Sequence, residues 1–204
     1  MPATAYDSRR RSGLRSLNCD GGHGLALTLA LVLLLGLAAG GEPWRLALQY
    51  QRGAIAAGEW WRLATAHLVH LGSRHVLLDG AGLVLLWILY ARALHAGAWA
   101  LVLTASALTI DAGLWWLAPD VQWYLGLSGV LHGGWAAGAV GSWREDRRLA
   151  AASLALLAIK LLAEQLHRGG VAGSGLPVVV YAHLYGAAGG LVVALTLGAR
   201  ARRL

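Results

Sequence analysis

Five residues of this chain carry reactive groups at spacings that suggest one shared site: Ser128, His183, His132, His75 and Asp79. Ser128 sits in Gly126-Leu127-Ser128-Gly129. Alone, that run is weak evidence, because Gly and Ser also serve close packing in membrane helices. Its position strengthens it. Asp120 to Leu127 reads as a loop, and a helix begins near Ser128. The first N–H groups of a helix have no partner within it and can bind a developing oxyanion. A serine there needs a base to take its proton. His183, in Tyr181-Ala182-His183-Leu184-Tyr185-Gly186, is the best-placed base. His132 follows Ser128 by one turn and faces the same way. It can stack on His183 and hold its ring, the job an Asp does in a soluble triad. No carboxylate in the helix region around His183 is placed for that job, which leaves a Ser–His dyad. His75 and Asp79, four apart on one face, could donate to or shape an oxyanion pocket. Each histidine alone reads equally as a satisfied buried residue. The set, at one depth on one side of a bundle, does not read as chance.

The elements that hold these residues are membrane helices. The chain has 204 residues, 57% hydrophobic and only 13% charged, with net charge +7. Soluble domains carry about 25% charge. Mean hydropathy is +0.55. Apolar content this high excludes disorder as the main state, and the single cysteine, Cys19, excludes a disulfide scaffold. Six apolar stretches follow one another: Leu25 to Ala39, His75 to Leu94, Ala96 to Ala118, Ser128 to Trp143, Leu149 to Leu166 and Val178 to Gly198. This length suits a bundle of about six spans at roughly 20 residues each. The first stretch also has the outline of a signal peptide. Its long polar leader favours a first span instead. The expected organisation is a basic cytoplasmic segment 1–24, a membrane domain 25–199 and a basic cytoplasmic tail 200–204.

Orientation follows from Lys and Arg. With the N-terminus cytoplasmic, Arg9, Arg10, Arg11, Arg15, Arg92, Arg144, Arg147, Arg148, Arg200, Arg202 and Arg203 fall inside, eleven of seventeen. Both termini are then cytoplasmic, and Ser128 and His183 lie at the outer ends of their helices. Gly129/Gly133, Gly134/Gly138 and Gly186/Gly190 are spaced to let those helices approach closely. Gly40 to Arg74 mixes Trp44, Tyr50, Trp60 and Trp61 with Arg45, Arg52 and Arg62, which suggests a segment lying in the interface. Trp60-Trp61-Arg62 reads there as an anchor. Asp111 reads as a wet helix end.

In these motifs the sequence resembles the rhomboid intramembrane serine proteases. The residues that carry the likeness are Trp61-Arg62 with Thr65, His70, His75-x-x-x-Asp79, Gly126-Leu127-Ser128-Gly129 and Ala182-His183-x-x-Gly186. They occur in the family's order across nearly the whole chain from the first helix onward. The resemblance implies an all-α, six-helix bundle with a membrane-embedded loop between helices 1 and 2. It implies Ser128 as nucleophile, His183 as base, and an oxyanion hole from the Ser128 N–H, His75 and position 79. No cofactor or metal is implied. Two departures stand out. Position 79 is Asp where most rhomboids have Asn, and His132 stands where a Tyr often stacks. An anionic Asp79 would repel an oxyanion, so it is expected either to stay protonated or to hold His75 as a cationic donor.

The Gly126–Gly133 run and Ala-His-Leu-Tyr-Gly are most similar to the bacterial rhombosortase branch. That likeness implies membrane-anchored substrates with a C-terminal Gly-Gly motif, a membrane helix and a basic tail, cleaved at the outer face of the inner membrane. Nucleic acid is not an expected partner. Four other readings compete; one, a transporter, would be expected to show repeated halves or broken helices, and the sequence has no convincing repeat. A rhomboid-like pseudoprotease that binds membrane helices would not need both Ser128 and His183. Haem ligation by His132 and His183 would leave the Gly-x-Ser-Gly context unexplained. A metalloprotease lacks its H-E-x-x-H.

Overall fold

The computed structural model describes residues 22–167 and 179–200. The basic leader up to residue 21 and the tail beyond residue 200 lie outside the described residues. Long Leu/Ala-rich runs, good helix formers on every face, give the principal helices. These are α1 (Gly22–Ala39), α5 (Ser73–Tyr90), α6 (Ala96–Trp116), α7 (Ser128–Gly141), α8 (Arg147–His167) and α9 (Val180–Arg200). The second stretch stops at Tyr90, short of Leu94. The His95 side chain then caps α6, its Nδ1 accepting the Ala98 N–H at 3.2 Å. Pro119 lies just beyond the end of α6, where the chain cannot continue as helix.

The outer surface is apolar. Leu25, Leu29, Leu85, Leu108, Ile159 and Val192 are each more than half exposed. Water would penalise such a surface, whereas lipid accepts it, so this is a multi-pass membrane protein. Four helices are long and apolar enough to cross a bilayer: α5, α6, α8 and α9. A fifth span arises only if α1 is counted together with α2 (Gly41–Leu48), which follows it after a bend of 109°. α7 has 14 residues, about 21 Å at 1.5 Å per residue, against roughly 30 Å of hydrocarbon. It is the central helix, with ten of its 14 residues buried.

Missing side chains bring α7 against α9. A Cβ on Gly133 would fall on the Gly186 carbonyl and the Ser106 hydroxyl, and one on Gly190 would fall on the Gly133 backbone. Gly129 and Gly186 meet in the same way. Gly134 and Gly138 instead face Leu86 and Tyr90 of α5.

The segment between α1 and α5 is ordered. It contains α2, β1 (Tyr50–Gln51), α3 (Arg52–Ala56), α4 (Trp61–Thr65) and a short turn, Ala66–Leu68. β1 pairs antiparallel with β2 (Trp123–Tyr124), Tyr50 opposite Tyr124, so this segment is stitched to the loop that leads into Ser128. Arg52 reaches the end of α6, where its guanidinium donates to Leu114 O at 2.5 Å and Trp115 O at 3.2 Å. It satisfies carbonyls that the helix leaves unpaired.

Two expectations are corrected here. Trp60 and Trp61 are exposed, but Arg62 turns inward, 7% exposed. It donates to Leu46 O at 2.8 Å and Gln49 O at 2.9 Å and pairs with Glu59 at 2.7 Å. It therefore organises the segment from within. Asp111 is not a wet helix end: it is 8% exposed, with His67 Nε2 at 3.3 Å. The segment between α1 and α5 folds over this part of α6 and closes it off.

Candidate active site

Ser128 opens α7, preceded by Gly126 at φ +114°. That backbone region excludes most L-residues. A Cβ on Gly126 would also stand 2.8 Å from the His75 ring. Glycine is thus required twice at the turn that presents the serine. Tyr124, buried beside the turn, donates its hydroxyl to Gly126 O at 2.9 Å. Burial, with the Asp79 and Asp111 carboxylates adding to it, pushes that phenol well above its ordinary value, so it remains a donor.

The Ser128 hydroxyl lies 2.9 Å from His183 Nε2. Gly129 against Ala182 and Gly186 permits that approach. The His132 ring stacks on His183, centroids 4.2 Å apart and planes 14° apart. Its Nδ1 lies 2.7 Å from Ser128 O, one turn back. His183 and His132 are both buried, and Ser128 is half-buried.

Sequence reasoning missed the fourth member. Glu164 of α8 places Oε2 at 2.8 Å from His183 Nδ1, and its Oε1 pairs with Lys160 one turn earlier. The expectation that no carboxylate supports the histidine is therefore corrected. The carboxylate comes from the neighbouring helix rather than from His183's own. A signal was present: Lys160-x-x-x-Glu164 puts two charges four apart inside an apolar run, where each is expensive unless used.

Asp79 also differs from expectation. Its closer histidine is His70, at 3.0 Å, with His75 at 3.6 Å. The same Oδ2 accepts the Leu127 N–H at 2.9 Å. Asp79 thus acts as an acceptor that pins the residue before Ser128. His75 receives the Leu71 N–H on Nδ1 at 3.4 Å, and its Nε2 lies 3.6 Å from Asp79 Oδ2, beside the turn at Gly126. His132, Glu164 and His183 present ligand atoms within 4.8 Å of one another, the spacing a metal ion would need. Here His183 spends both nitrogens on Glu164 and Ser128, and Glu164 is shared with Lys160.

A half-buried serine at a helix start and a histidine within hydrogen-bond reach of it are parts that a hydrolase proceeding through an acyl-enzyme would use. Here they are set in a membrane bundle. Residues 57–200 match the model of the Rhomboid domain. The chain belongs to the rhomboid family, whose proteases cut membrane-anchored proteins within the bilayer. No curated protein matches the chain.

Proposed function

We propose that this protein is an active intramembrane serine endopeptidase, with Ser128 as nucleophile and His183 as general base. The observation that carries the reading is the 2.9 Å contact between Ser128 Oγ and His183 Nε2. Oγ attacks the scissile carbonyl carbon while Nε2 takes its proton. The oxyanion is met by the Ser128 N–H and the His75 Nε2–H. The C–N bond then breaks, and His183 returns the proton to the leaving amine. Water attacks the acyl-enzyme as His183 takes its proton, and His183 then passes that proton to Ser128 Oγ as the carboxylic acid product leaves. A cavity of about 450 Å³, walled by Leu85, Leu89, Leu131 and Leu156, touches Ser128 and offers a substrate segment a dry approach.

The substrates are membrane-anchored proteins with a C-terminal Gly-Gly motif, a membrane helix and a basic tail. Support comes from the likeness of the Gly126–Gly133 run and Ala182–Gly186 to the rhombosortase branch. The glycines suit a segment that must unwind before cleavage. The bundle has six spans, α1 and α7 joining the four long helices, in the bacterial inner membrane with both termini cytoplasmic. The distribution of arginines supports this orientation.

The test uses purified protein in liposomes with a substrate carrying Gly-Gly before a membrane helix and a basic tail. Product masses are compared for wild type, Ser128→Ala and His183→Ala. Cleavage near the glycines by wild type alone is expected. Cleavage of a generic membrane helix but not of this substrate would overturn the substrate class. Cleavage of neither by folded protein would make it a helix-binding pseudoprotease.

A further inference from the structure

We infer that Glu164 is a positioning residue for the reaction, so that this rhomboid works through a Ser128–His183–Glu164 triad. The inference rests on the proposed roles of Ser128 and His183. The stack of His132 on His183 fixes the plane of the catalytic ring. It cannot fix which way round the ring sits. Turning the ring by 180° about its Cβ–Cγ bond keeps the same plane and the same stack. That turn would carry Nε2 away from Ser128. An acceptor at Nδ1 removes the ambiguity, and Glu164 Oε2 stands there at 2.8 Å.

The same contact sets the tautomer. A carboxylate accepts, so Nδ1 carries the hydrogen and Nε2 presents a lone pair to the Ser128 hydroxyl. When Nε2 takes the serine proton, the carboxylate is also the nearest compensating charge for the imidazolium. Lys160 completes the device. It holds Oε1 and leaves Oε2 for His183. An ion pair meant only to neutralise two charges on α8 would need Lys160 and Glu164 alone. Here Glu164 is 4% exposed and turned onto the catalytic ring.

The test reads Ser128 reactivity without any assumption about the substrate. Purified protein in detergent is reacted with a fluorophosphonate, which labels an activated serine. Wild type must label and Ser128→Ala must not; if wild type stays unlabelled, the protease reading fails before this one is reached. Glu164→Gln keeps the size of the side chain and loses the charge. Its labelling rate should fall about a hundredfold or more, in line with the loss of a triad carboxylate elsewhere. Glu164→Ala should fall at least as far. On the proteolysis assay the loss should appear in kcat with KM little changed. A spectroscopic reading separates positioning from folding. In protein with ¹⁵N-labelled histidine, the His183 Nδ1–H proton should resonate far downfield, vanish in His183→Ala and move upfield in Glu164→Gln. Labelling by Glu164→Gln within threefold of wild type, or an unmoved Nδ1–H resonance, would overturn the triad.

Discussion

Three buried histidine–carboxylate pairs lie among the described residues, His183–Glu164, His67–Asp111 and His70–Asp79, and of the first two only one reaches a serine hydroxyl. His183 and Glu164 meet at 2.8 Å, and the second nitrogen of His183 lies 2.9 Å from Ser128 Oγ. His67 and Asp111 meet at 3.3 Å, and neither His67 nitrogen makes a well-formed hydrogen bond. Burial is alike: all four side chains are less than a tenth exposed. The pairing of imidazole with carboxylate is therefore not what makes a site. What the far nitrogen faces decides it. His183 faces a helix start with donors for an oxyanion, whereas His67 lies edge-on to the Tyr124 ring at 5.6 Å.

Three experiments break or sharpen that contrast. The largest effect is expected at Gly186→Val. Its Cβ would fall on the Gly129 carbonyl, so α7 and α9 must part, and misplacement by about 1 Å can cost roughly 10² in rate. Fluorophosphonate labelling should drop at least that far; a rate near that of wild type would mean the helix contact does not set the Ser128–His183 distance. An intermediate effect, on stability rather than rate, is expected at the second pair. Asp111→Leu alone should destabilise by about 1–3 kcal/mol, because it takes away the carboxylate that the buried His67 faces at 3.3 Å. The double change with His67→Leu should recover most of this, since an apolar pair can replace a buried polar one. Melting temperature in detergent measures both. Labelling should stay within threefold of wild type in each, and a collapse of labelling at unchanged melting temperature would bring this pair into the reaction. The smallest effect is expected at Asp79→Asn. The amide oxygen can still accept the Leu127 N–H, so labelling should change less than threefold. Asp79→Leu, which orphans that N–H, should slow labelling about tenfold.

What the sequence revealed, and what it hid, divides along physical lines. Ser128 and His132 share a helix face by spacing alone, and the small residues of Gly129, Gly133, Gly186 and Gly190 announce a close helix pair. Those features are periodic and local. Glu164 escaped because its partner lies on another helix, and no period relates positions on two helices that meet side by side. Asp111 escaped for a related reason. Hydropathy places it near a helix end, but the chain between α1 and α5 folds over that end, and only tertiary structure says so. Arg62 reads as an interfacial anchor in the sequence because it follows two tryptophans in a run of mixed aromatic and basic residues. Its own guanidinium turns inside, onto the Leu46 and Gln49 carbonyls.

Ser153 is one point where α8 is fastened: its hydroxyl takes the Trp135 indole N–H at 2.7 Å and meets the Tyr90 hydroxyl. Glu164 lies eleven residues further along the same helix, an arm of about 16 Å. With the knot as fulcrum, a tilt of about 10° swings the carboxylate by about 3 Å, beyond hydrogen-bond reach. α7 and α9, locked backbone to backbone, would not follow. Leverage of this kind makes the triad a clasp. The tilt of α8 is thereby read directly at His183 Nδ1, where Glu164 Oε2 stands at 2.8 Å.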